Sequence, residues 1–138
     1  MRKFAVPSFA LLALLCSPHF TRAGMIKAYF SHFAVTGAKD REETQKGVEN
    51  LLISRLAGDA IFAVETPAEA DITLTGDYVE FGKVFGIDAV ATSREGIFLA
   101  RAFVQGEGKD ELIPAVAQLA RDLAGEVRKA APPPSSLK

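Results

Sequence analysis

The stretch T-G-D-Y-V-E-F-G-K-V-F-G-I-D-A-V, Thr75 to Val90, decides how the rest of the chain is read. Two runs rich in aromatic and β-branched residues flank Gly82-Lys83, and a two-residue loop with glycine first suits a type II′ turn, whose twist matches that of a β-hairpin. The reading extends to strands at Asp71 to Phe81 and Val84 to Thr92, with Phe81 facing Val84 and Asp77 facing Asp88. A second turn at Ser93-Arg94-Glu95-Gly96 leads into a third strand, Ile97 to Gln105. Side chains alternate between the faces of a strand, so this register sorts the meander. Ile72, Leu74, Tyr78, Phe85, Ile87, Ala89, Ala91, Phe98 and Val104 share the face expected to be the core. The other face carries Thr73, Thr75, Asp77, Asp88, Thr92 and Arg101 among Val79, Phe81, Val84, Val90, Leu99 and Phe103.

Upstream, Ile26 to Val35 reads as a strand that is apolar on both faces and therefore central. A helix follows, with Asp40 as its N-cap, Glu42 and Glu43 in its first turn, Val48, Leu51, Leu52 and Leu56 at helical spacing, and Gly58 at its end. Ala60 to Glu65 is a second short strand. Thr66 to Ala70 is too short for a parallel crossover of about ten residues or more, which leaves that strand at an edge or in another position. Downstream, Gly106-Glu107-Gly108 breaks the chain before a helix capped by Asp110, with Leu112, Val116, Leu119, Leu123 and Val127 on one stripe. Pro114 is tolerated there because it lies in the first turn. The order is β-α-β-β-β-β-α, a mixed α/β (α+β) sheet of four to five strands with helices packed on it.

The first 23 residues of the 138-residue chain read as a secretory signal: Arg2 and Lys3, an apolar run from Phe4 to Cys16, and Thr21-Arg22-Ala23 as the cleavage site. The run is too short, and too closely followed by Pro18 and Arg22, to span a membrane, which needs about 20 apolar residues. A lipid anchor on Cys16 is the competing reading, but Ala13 and Leu15 stand where a lipoprotein signal wants a leucine and a small residue. Cleavage near Ala23 removes Cys16, the only cysteine, and with it any disulfide or thiolate chemistry. It also removes Arg2, Lys3 and Arg22 from the 16 basic residues, leaving 13 against 17 acidic ones and a net charge of −4. That balance argues against nucleic acid as a partner. Residues 24–130 are expected to form one domain, and residues 131–138, with their Pro/Ser-rich sequence, a disordered tail.

The strand order, the Thr75 to Val90 hairpin, and G-E-G-K-D-E-L-I-P from Gly106 to Pro114 resemble a bacterial envelope domain. The chain is similar to the amino-terminal domain of TolB and to CsgG-like and FlgO-like accessory domains. The nearest likeness is to the version that precedes FG-GAP (VCBS) repeats in secreted bacterial proteins. That resemblance implies a periplasmic or secreted protein with an accessory, protein-binding role, and it covers roughly Ile26 to Lys129. The family commonly has a helix between its second and third strands and Pro-Phe at the end of its first, where this chain has Thr66 to Ala70 and His32-Phe33.

Few residues invite chemistry. His32 is the only histidine after signal removal and reads as structural, crowded by Tyr29, Phe30 and Phe33. Zinc sites need three or four nitrogen or sulfur ligands, so no metal site of that kind is expected. No serine sits in a G-x-S-x-G elbow and no phosphate loop is present. Asp77 opposite Asp88 is the one arrangement to weigh, as an acid/base pair or as oxygen ligands in a metal-dependent hydrolase. A loop centred on Arg94-Glu95 places Arg101 opposite Asp88 and makes the three a cross-strand ionic row, which is the favoured reading. No catalytic residue, metal or cofactor is therefore assigned. The expected function is a non-enzymatic protein-binding or envelope-assembly domain with an envelope or secreted protein as its partner. The alternatives are that hydrolase, and a ligand carrier with an apolar pocket between helix and sheet. Val79, Phe81 and Val84 cluster at the hairpin tip, where they are either covered by a helix or form an exposed partner contact.

Overall fold

Strand alternation and helical stripes meet in a five-stranded sheet of order β2-β1-β3-β4-β5, with two helices on one face. The computed structural model describes residues 24–130; the expected signal and tail lie outside these. The strands are β1 (Ile26–Thr36), β2 (Ile61–Val64), β3 (Ile72–Phe81), β4 (Val84–Ser93) and β5 (Phe98–Glu107), and the helices α1 (Arg41–Ala57) and α2 (Leu112–Ala130). The element order is the expected one.

β1 is internal, parallel to both β2 and β3. The short link from β2 to β3 closes because Val64 lies beside Tyr29 while Ile72 lies beside Ala28. The chain then has only to pass sideways across β1, about 10 Å, with no return along a strand. A 3₁₀ turn at Pro67–Glu69 makes the crossing. Its far end is tied to β1 by Asp71, whose N–H donates to the Lys27 carbonyl (2.8 Å) and whose Oδ2 accepts from the Lys27 N–H (2.9 Å). β2 is accordingly an edge strand.

The hairpin has the predicted register, Phe81 opposite Val84 and Asp77 opposite Asp88. Gly82 has φ +65° and Lys83 has none of the positive φ that a type I′ turn would require. Between β4 and β5 the expected register is wrong by two residues. Asp88 is opposite Phe103 and Val90 opposite Arg101, because the connecting loop is longer than a tight turn and a bulge follows it at Thr92/Phe98. The Ser93 N–H donates to the Ile97 carbonyl, and Ser93 Oγ accepts from the N–H groups of Glu95 and Ile97. A two-residue slip keeps every side chain on its face, so the face assignment survives except at the bulge. There Phe98 turns out to 61% exposure and Leu99 packs against the core, the reverse of the expected placement.

The core is one cluster. Val48, Leu52 and Leu56 of α1 and Val116, Leu119, Leu123 and Val127 of α2 meet Ala28, Phe33, Leu74, Ile87 and Ala89 of the sheet. Asp40 occupies the N-cap position of α1 but makes no side-chain capping bond. Asp110 is not the cap of α2. It sits inside a 3₁₀ turn, Lys109–Glu111, entered through Gly108 at φ +80°. Glu111 accepts from the Glu107 N–H there (2.7 Å). At its other end α2 is held by Arg128, whose Nη2 donates to the carbonyls of Gly24 (3.0 Å) and Asp59 (2.6 Å).

Candidate functional site

With both helices on one face, the other face of the sheet has no layer over it among the described residues. The hairpin tip is therefore uncovered: Phe81 is 87% exposed and Val79 and Val84 each 48%. Removing large apolar side chains from water is the main drive to association, and these three have not been removed from it.

Gly86 shapes the ground beside them. It leaves a gap in the row of open-face side chains, and Phe103 of β5 leans diagonally into that gap. A Cβ added to Gly86 would lie 3.2 Å from Phe103 Cε1. The Phe103 side chain is still 56% exposed, since only one edge of the ring is against the sheet. The result is an open hollow of about 450 Å³ lined by Asp77, Val79, Phe81, Val84, Phe85, Gly86, Asp88, Phe103 and Gln105. It lies on the side of the sheet away from the helices. On the helix side, where a ligand carrier was expected to have its pocket, the hollow is smaller, about 190 Å³, between Tyr78 and Phe85 of the hairpin and Leu112 at the start of α2.

Of the expected ionic row only the Asp88–Arg101 pair forms, and not by the expected register. Arg101 stands two pairs further along, opposite Val90, and reaches diagonally to Asp88. Nε donates to Oδ1 at 2.9 Å and Nη2 to Oδ2 at 2.7 Å, a bidentate pair. This hydrogen bond, followed by the carboxylate's charge, holds the guanidinium above its ordinary pKa. An exposed pair of this kind contributes little to stability. Both Asp88 oxygens are thereby engaged, and Asp77, exposed beside it, makes no ion pair among the described residues. No group of three or more metal-ligating side chains occurs among the described residues. His32 is exposed at the β1 bulge, opposite Thr75, and not packed as the sequence suggested.

Two features of the face could not be read from hydropathy: the leaning Phe103 ring, and the diagonal reach of Arg101. A glycine at the middle of a strand was the available signal for the first, since such a gap invites close approach from a neighbour.

On the helix side of the same hairpin, Tyr78 stacks on Phe85 with ring centroids 5.9 Å apart and donates its hydroxyl to Glu80 Oε1 at 2.8 Å. Burial, then the Glu80 bond, then the Glu80 charge push its pKa from 10.0 up to about 12. The folded state thus favours neutral tyrosine. The stabilisation is complete below the unfolded value of 10.0 and is lost as pH rises towards 12. Denaturant midpoints of the wild type should fall across that window, and Tyr78→Phe should remove that part of the slope. Identical alkaline slopes for the two proteins would refute the linkage.

No model of a known protein family matches the chain, and no curated protein sequence matches it. Its likenesses are to solved structures. A PelC variant, a dodecamer from Paraburkholderia phytofirmans, aligns with TM-score 0.58 and 16% identity over 74% of this chain and 89% of its own. TolB from Acinetobacter baumannii aligns with TM-score 0.51 and 10% identity over 77% of this chain and 28% of its own. A lipoprotein of Neisseria meningitidis gives TM-score 0.50 and 10% identity over 62% of this chain and 83% of its own. At these identities the likeness is one of fold, a mixed α/β domain. No helix among the described residues is long and apolar enough to cross a membrane.

Proposed function

We propose that this chain is an exported, non-enzymatic protein-binding domain of the bacterial envelope that meets its partner through Val79, Phe81 and Val84. One observation carries the reading: three large apolar side chains at the tip of the β3–β4 hairpin are exposed to water beside a hollow, on the sheet face opposite the helices. A folded domain gains nothing from keeping a phenylalanine at 87% exposure, whereas an interface gains an aromatic anchor. The finer likeness to CsgG-like and FlgO-like accessory domains, and to the domain before FG-GAP repeats, belongs to the same proposal. The fold shared with TolB and a lipoprotein supports it. So does the signal-like segment at residues 1–23, with cleavage near Ala23 and a periplasmic or secreted location.

Binding and stability separate cleanly at Phe81. Its ring has almost no packing to lose, so Phe81→Ala should leave the unfolding free energy within the range of surface substitutions, about 0.5 kcal/mol. A partner recovered from envelope extract and titrated against both proteins should bind the variant more than about tenfold more weakly, a loss of roughly 1.4 kcal/mol or more. Unchanged affinity in a normally folded variant rules the contact out.

A further inference from the structure

We propose that a second copy of this chain pairs antiparallel along β5 about a two-fold axis through Phe103, joining two five-stranded sheets into one. The inference goes beyond the proposed function and rests on backbone geometry. The Glu107 N–H turns away from β4 to the Glu111 carboxylate, while the Gly108 N–H turns towards it and donates to the Lys83 carbonyl. Backbone groups alternate in direction along an antiparallel strand. The register from Glu107 back to Ala100 is unbroken. The N–H and C=O groups of Arg101, Phe103 and Gln105 therefore point out of the sheet, and none of them is bonded among the described residues. The Leu99 bulge closes this free run at one end and Glu111 closes it at the other.

An edge of this length is ordinarily protected by proline, lysine or a cover. β5 spans ten residues, Phe98–Glu107, and contains neither proline nor lysine. The opposite edge, β2, is only four residues long. The occupant follows from the symmetry of the free run: its three outward residues are centred on Phe103, so an inverted copy matches it group for group. The pairing makes about six backbone hydrogen bonds. It sets Phe103 against Phe103 on the open face, and Arg101 against Gln105, so no like charges oppose each other.

Sedimentation of the purified chain over a concentration series tests the pairing. A dimer is expected. Gln105→Pro removes an outward N–H that serves no bond to β4, so the domain should keep its circular dichroism while the dimer dissociation constant rises more than about tenfold. Two further variants fix the register and guard against a misfolded proline variant. Gln105→Lys, opposite Arg101 in both halves, should weaken the dimer roughly threefold or more, and Gln105→Glu should tighten it, both effects shrinking in salt. Phe81→Ala, off the edge, should leave the dimer unchanged, which separates this surface from the hairpin contact. A chain still monomeric near about 1 mM, an assembly larger than two, or a dimer indifferent to all three Gln105 variants overturns the proposal.

Discussion

Gly37→Ala should destabilise the domain by about 3 kcal/mol or more, enough to consume a large part of a small domain's stability. Gly37 leaves β1 with φ +88°, and a Cβ built on it would stand 2.1 Å from the Glu80 carbonyl oxygen. Two separate penalties add. A positive φ costs an L-residue roughly 1–2 kcal/mol, and the clash is with the backbone of Glu80, which is paired to Phe85 of β4 and cannot swing aside as a side chain would. Gly82→Ala is the internal control. Gly82 also has a positive φ, +65°, but an added Cβ there meets nothing within 4 Å, so its cost should stop at the conformational part, roughly 1–2 kcal/mol. Urea denaturation of both variants measures the difference. Equal losses at the two sites would mean that β1 and β3 can separate at Gly37 without penalty.

The contrast also shows what kind of information the sequence holds. Gly82 is legible because its neighbours define a turn: two strand-like runs and a two-residue gap leave little else for a glycine to do. Gly37 carries no such local signature, since its need for glycine comes from a carbonyl on a strand more than forty positions away. The same division runs through the fold. The helix stripes, Val48, Leu52 and Leu56 on one and Val116, Leu119, Leu123 and Val127 on the other, follow from spacing alone. The position of β2 does not. It depends on β3 starting beside Ala28 at the level where β2 ends beside Tyr29, which makes a short link sufficient.

At the candidate site the division is sharper. Alternation placed Val79, Phe81 and Val84 on one face, but whether a helix covered them was a question about where the crossover packs, and the core answers it by taking both helices to the other side. For Asp88 and Arg101 alternation predicts the shared face but not the register. The face was correct because faces repeat every two residues, and the pair forms because an arginine is long enough to span the diagonal left by the two-residue slip. Phe98 faces outward because the bulge changes the parity on which alternation rests.

Phe33 and Gly76 should show strong coupling when substituted together. They are opposite each other on β1 and β3, on the core face, and the Phe33 ring lies flat enough over Gly76 that an added Cβ would be 2.6 Å from Cε2 and 2.8 Å from Cδ2. Phe33→Ala deletes a buried ring and should cost about 3–5 kcal/mol. Gly76→Ala, which forces that ring out of place in a filled core, should cost about 1–3 kcal/mol. The double variant should cost less than the sum by at least about 1 kcal/mol. Once the ring is gone the alanine methyl has room, and it fills part of the space that the ring vacated. The Asp88 carbonyl oxygen, 3.1 Å from the same position, sets a floor on that recovery. A thermodynamic cycle from the four denaturation curves gives the coupling directly. Strict additivity would show that the Gly76 penalty arises from the Asp88 backbone and not from the ring, which would move the tight point of the sheet from the β1–β3 seam to β3–β4.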